Sequence, residues 1–94
     1  MTYLGLLEVA IRIPGSDSLK AKRHVLRSLK DRIRSGLNVS FAEIGEMSTW
    51  QRADLAASAV AASRHKVEEV LHRVLRIIQN NPDVEVLESH IEMF

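Results

Sequence analysis

The sequence predicts a single α+β domain with the element order βαββαβ, and three observations carry that prediction. Apolar residues alternate with a period of two at the start of the chain, and two later stretches repeat them at helical spacing behind a serine. Turn residues punctuate the intervals at Pro14-Gly15, Gly36, Gly45 and Asn80-Asn81-Pro82. Ninety-four residues at 46% hydrophobic content can bury one ordinary core, with no room for a second domain.

From Tyr3 to Ile13 the odd positions Gly5, Leu7, Val9, Ile11 and Ile13 are apolar and Glu8 and Arg12 fall on even ones, the pattern of a half-buried strand. Ser18 then supplies a helix cap, Leu19, Val25, Leu26, Leu29 and Ile33 follow at helical spacing, and Gly36 stops a helix predicted over residues 19 to 35. Leu37 to Ile44 is rich in strand formers, with Val39 and Phe41 alternating against smaller polar neighbours. Ala53 to Ala62 is contested, because its alanines favour helix and would fuse it into one helix from Trp50 to Ile78. A strand is predicted instead. Ser63 is a good N-cap that such a helix would waste, and 29 residues is long for a helix in so small a domain. Val67, Val70, Leu71, Val74, Leu75 and Ile78 lie on one helical face until Asn80-Asn81-Pro82. The last strand, Val84 to Phe94, places Val84 and Val86 out of phase with Leu87, Ile91 and Met93, which predicts a bulge near Leu87. This order is that of the ferredoxin-like fold, a four-stranded antiparallel sheet with two helices on one face. The other face would expose Leu4, Leu6 and Ala10, beside either Ala56, Ser58 and Val60 or the odd residues of the third strand. Such a face invites a homodimer or other partner, there or along a strand edge.

Net charge is only +1, but it is unevenly spread. Residues 18 to 36 hold Lys20, Lys22, Arg23, Arg27, Lys30, Arg32 and Arg34 against Asp31 alone, a local charge of +6, so the other 75 residues carry −5. Asymmetry of this kind points to an anionic partner for one surface. Lys20, Arg23, Arg27, Lys30 and Arg34 step by 3, 4, 3 and 4, which confines them to an arc of roughly 80° along about 21 Å of helix. They border the apolar stripe instead of opposing it. The bland reading is a solvated face. Against it, neighbouring cations at these spacings repel by roughly 0.2–0.5 kcal/mol per pair, and almost no local acid relieves them. Lys22 falls at the centre of the apolar stripe, where its stem is expected to pack and its ammonium to reach the rim. Trp50 and Arg52, in and after the turn before the third strand, are candidates to stack on a base and to take a phosphate, although a lone Trp more often anchors its loop to the core.

Other chemistry finds little support. The absence of cysteine excludes a thiolate nucleophile, a disulfide framework and a Cys-based metal site, and fits a reducing cytoplasm. His24, His65, His72 and His90 show no metal-binding spacing, and the four glycines are too scattered for a phosphate loop. No enzyme activity, cofactor or metal is predicted. The apolar run at the start of the chain, interrupted by Glu8 and Arg12, reads as a strand and not as a signal or membrane span.

The segments Gly5-Leu6-Leu7-Glu8-Val9, Ile13-Pro14-Gly15, Ser18-Leu19-Lys20, Lys22-Arg23, Asn38-Val39-Ser40, Ala42-Glu43 and Trp50-Gln51-Arg52-Ala53 resemble the YlxP-like family of small bacterial proteins. The resemblance covers essentially the whole chain. It implies a ferredoxin-like fold and a bacterial cytoplasmic protein. Members of that family are commonly encoded beside transcription, translation-initiation and ribosome-maturation factors, which implies contact with RNA or a ribosomal particle. The leading expectation is therefore a non-enzymatic RNA- or ribosome-associated protein using Lys20, Arg23, Arg27, Lys30 and Arg34, with Trp50 and Arg52 nearby. The alternative is an oligomeric regulatory or scaffold domain that binds a protein or small metabolite.

Overall fold

The computed structural model describes residues 1–94 and has the order β1 (Tyr3–Arg12), α1 (Leu19–Gly36), β2 (Ser40–Gly45), β3 (Arg52–Ala61), α2 (Arg64–Gln79) and β4 (Glu85–Met93). The four strands form one antiparallel sheet in the spatial order β2-β3-β1-β4. Odd residues of β1 and β3 point into the core, from Leu7, Val9 and Ile11 to Ala53, Leu55, Ala57 and Ala59. Leu29 and Ile33 of α1 and Val67, Leu71, Val74 and Ile78 of α2 close the same cluster from above. One face of the sheet is thus covered and the other is open, the ferredoxin-like α+β arrangement.

Both serine caps form. Ser18 Oγ accepts from the Ala21 amide at 3.0 Å and Ser63 Oγ from the Lys66 amide at 3.1 Å, each satisfying a first-turn donor that has no partner within the helix. The alanines of β3 are in a strand despite their helix propensity, because tertiary packing asks for small side chains there. α2 crosses the β1–β3 seam closely enough that a Cβ on Gly5 would lie 2.7 Å from Val67 Cγ1 and 2.9 Å from Leu71 Cδ1. Ala59, the cross-strand partner of Gly5, belongs to the same tight seam.

The strand boundaries differ from expectation mainly at β2, which begins at Ser40 and not at Leu37. Leu37 is spent on ending α1, its amide donating to the Ile33 carbonyl at 3.1 Å. In β4 the predicted bulge is present, since Ala10 pairs with Glu88 but Ile11 with Val86. Skipping Leu87 brings Val84, Val86, Ile91 and Met93 to the core side together and leaves Leu87 exposed. No helix is long and apolar enough to cross a membrane.

Candidate functional site

The α1 cations lie where their spacing places them. Lys20, Arg23, Arg27 and Arg34 are exposed and Lys30 is half-buried, while Leu29 and Ile33 are sealed beneath the helix. None of the five forms an ion pair, not even Arg27 with Asp31 one turn away. Four cations elsewhere are matched, Arg12 with Glu85 at 3.1 Å, Arg52 with Asp54 at 3.5 Å, Arg64 with Glu68 at 2.8 Å and Lys66 with Glu69 at 3.1 Å, whereas Arg32, Arg73 and Arg76 form no ion pair. The hydrogen bond from Lys66 and then its charge hold the Glu69 carboxyl below its ordinary 4.5 against an opposing desolvation, with lesser help from the charges of His65 and Arg73. The shoulder of α1 thus carries the largest group of cations with no acid bound to them.

Arg23, Arg27 and Lys30 form one wall of a groove of about 230 Å³ between α1 and β2. Its floor is apolar, made by Leu26 with Phe41 and Leu55 beneath, and Glu43 lines its remaining side. Phe41 and Glu43 share the helix-facing side of β2 because side chains two apart point the same way.

Lys22 departs from expectation. Its stem packs as predicted, but its ammonium does not reach the rim: the residue is only 1% exposed. Nζ donates to the carbonyl oxygens of Glu46 at 2.6 Å and Thr49 at 2.7 Å, and lies 2.9 Å from Glu43 Oε2. That last contact is one of charge, for Oε2 is buried and lacks a partner in hydrogen-bond geometry. A buried ammonium is tolerable only when paired and hydrogen-bonded, and the β2–β3 turn supplies both conditions. The same turn is fastened a second time, as Gln51 Nε2 donates to the Ser16 carbonyl at 3.1 Å and the Ile13 amide donates to the Gln51 carbonyl at 2.8 Å. Glu46 adopts a left-handed φ of 60°, held by bonds from the Thr49 amide and hydroxyl to its carbonyl and carboxylate.

Trp50 sits between these two fastenings, with Thr49 held on one side and Gln51 on the other. Its side chain does not anchor the loop to the core: the residue is 53% exposed, and the polar network anchors the loop in its place. The Thr49 bond to Lys22 ties the turn that carries Trp50 to the buried side of α1. Arg52 is not brought to the stripe. Its even position in β3 turns it to the open face, opposite Arg12 in register and paired with Asp54. The four histidines are exposed, and no group of three potential ligands converges on a metal position.

The open face resolves the alternative left by the sequence in favour of Ala56, Ser58 and Val60. Val60, Leu4 and Phe94 make one exposed cross-strand row at one end, at 61%, 42% and 68%. Toward the other end Glu8, Asp54 and Glu88 rim a depression of about 340 Å³.

Glu43 and the Lys22 acceptors are the site residues not anticipated from sequence. A signal for Glu43 was present, because a strand that faces Phe41 to the helices must face Glu43 there too. A lysine at the centre of an apolar stripe likewise demands an acid or carbonyls nearby.

Comparison with known proteins agrees with the architecture. The de novo designed protein Foldit4 superposes with a TM-score of 0.55 over 95% of this chain and 96% of its own, at 15% identity, a likeness of fold alone. The uncharacterized protein YlxP of Bacillus subtilis (strain 168) is 38% identical over 91 residues, which span 97% of this chain and 99% of that protein. Residues 4–91 match the model of the protein family of unknown function DUF503. The chain belongs to that family, of which YlxP is a relative.

Proposed function

We propose that this protein is a non-enzymatic RNA- or ribosome-associated protein of the cytoplasm that binds phosphates through the shoulder of α1. The observation that carries the reading is that five cations, Lys20, Arg23, Arg27, Lys30 and Arg34, share one shoulder of α1 with no acid paired to any of them, whereas of the lysines and arginines outside α1 only Arg73 and Arg76 lack an ion pair. Leaving them unpaired costs repulsion that an external polyanion relieves, with release of its counterions. The spacing along the helix suits successive phosphates. Trp50, exposed on a fastened loop beside the helix, offers a stacking surface whose ordering cost is already met. Contact through the sheet, as in aromatic-bearing RNA-recognition domains, has no support, because the exposed positions of β3 carry no aromatic residue.

The test is a triple change of Arg23, Arg27 and Lys30 to Gln. All three types favour helix, so the fold should persist. Affinity for RNA or ribosomal particles is expected to fall for every sequence tried. The slope of log affinity against log salt should shrink by about 0.7 for each single-strand phosphate that the variant no longer neutralises. A triple variant with full binding and an unchanged slope would identify the stripe as a solvated face.

The second reading is an oligomeric regulatory or scaffold domain, favoured by the exposed row of Val60, Leu4 and Phe94 on the open face. Association through such a row would respond weakly to salt, which separates it from phosphate binding.

A further inference from the structure

We infer that the groove between α1 and β2 receives one unpaired nucleobase bearing an amino group, guanine foremost, with Glu43 as the hydrogen-bond acceptor. The inference rests on the phosphate-binding reading of α1 and adds base selection to it. A surface that only gathers phosphates needs neither an apolar floor nor an acid, and an acid among its cations would weaken it. This groove has both, with Leu26 and Phe41 below and Glu43 facing Arg23, Arg27 and Lys30.

Pairing with Lys22 accounts for only part of the Glu43 carboxylate. Its Oε2 is buried against the ammonium, whereas the side chain as a whole remains 26% exposed. Oε1 is therefore the oxygen left for a ligand, and the ammonium behind it holds the carboxylate in place. An acceptor fixed in advance, at the edge of an apolar slot, selects for donors. Adenine, cytosine and guanine each present an exocyclic amine, and guanine adds N1–H beside its amine on the same edge, so that either of two neighbouring donors can reach Oε1. Uracil presents a single N–H between two carbonyl oxygens, which a carboxylate repels. At about 230 Å³ the groove is smaller than the roughly 300–1,000 Å³ of drug-sized pockets, which suits one ring system. A base edge is available to it only when unstacked and unpaired, so the ligand is single-stranded RNA and not a duplex.

Labelled uridine dodecamers carrying one central guanosine, inosine, adenosine, cytidine or uridine test this by fluorescence polarisation at several salt concentrations. The guanosine oligomer is expected to bind about five- to tenfold more tightly than all-uridine, the lower part of the range for a good base contact. Inosine, lacking the N2 amine, should fall between them. All salt slopes should agree, since the phosphates are the same. Glu43→Gln, checked by thermal melting for an intact fold, should abolish the guanosine preference while keeping the slope. If that variant does not fold, the oligomer series decides alone. Equal affinities with a steep common slope would overturn the base site and leave phosphate binding standing. Binding to none of the oligomers would sink both, and capture of a labelled oligoglutamate in their place would identify an acidic protein segment as the partner.

Discussion

Lys20 and Lys22 are two residues apart and have opposite environments. About 200° of helical rotation puts the first on the solvent shoulder and the second under the helix. Burial changes what an ammonium does: Lys22 ties α1 to a turn 24 to 27 residues downstream through the Glu46 and Thr49 carbonyls. Changing Lys22→Met keeps the stem but strands Glu43 Oε2 and removes the Lys22 bond from the Thr49 and Glu46 carbonyls, of which Glu46 keeps its bond from the Thr49 amide. Breaking a buried pair costs roughly 3–5 kcal/mol, and the partial exposure of Glu43 places the expected loss at the lower end, about 3 kcal/mol, read from urea unfolding. Trp50 is the only tryptophan, so its fluorescence anisotropy reports the turn directly and should drop in the same variant. Unchanged stability and anisotropy would mean that the ammonium is incidental to the turn. The position of Lys22 on the apolar face was legible from helical periodicity. Its acceptors were not, because they come from a turn whose approach only the packed structure sets.

Among the elements, the serine caps act locally and the α2–β1 seam acts through close packing. Ser63→Ala removes the acceptor for the Lys66 amide and should cost about 1 kcal/mol, visible as a lower denaturation midpoint with an unchanged m-value. Gly5→Ala should cost more, about 1–3 kcal/mol. The new methyl meets Val67, Leu71 and Met93 at 2.7, 2.9 and 2.9 Å, and the first two are fully buried with no space into which to move. A neutral or stabilising Gly5→Ala would show that α2 can lift from the sheet. These two elements also mark the limit of propensity. The alanines of β3 score as helix in isolation, yet a strand beneath a helix that approaches so closely requires small residues. Ser63, not the alanines, was the better guide to where α2 begins.

At the scale of the molecule, charge is segregated. Unpaired cations follow α1 on the covered side of the sheet, and Glu8, Asp54 and Glu88 lie on the open side. A face-to-face dimer whose two-fold axis aligns like ends would bring the apolar rows together, while Arg52 and Arg12 pair Asp54 and Glu85 on the same face. If the row of Val60, Leu4 and Phe94 mediates association, light scattering should show a concentration-dependent dimer that Leu4→Lys with Val60→Lys abolishes without loss of the fold. A monomer at millimolar concentration would remove that row as a self-association surface.

Six elements, both helix caps, the bulge in β4 and the shoulder of cations on α1 were all legible in the chain before it was folded, because each follows from local periodicity or from a residue acting on its immediate neighbours. Packing in three dimensions settles which face of β3 is exposed, and hence that Arg52 leaves the α1 side. It also buries the Lys22 ammonium, holds Trp50 exposed between two polar fastenings, and brings Glu43 into the groove beside Arg23, Arg27 and Lys30. Those outcomes depend on strand register and on contacts between residues distant in the chain, which local spacing does not encode.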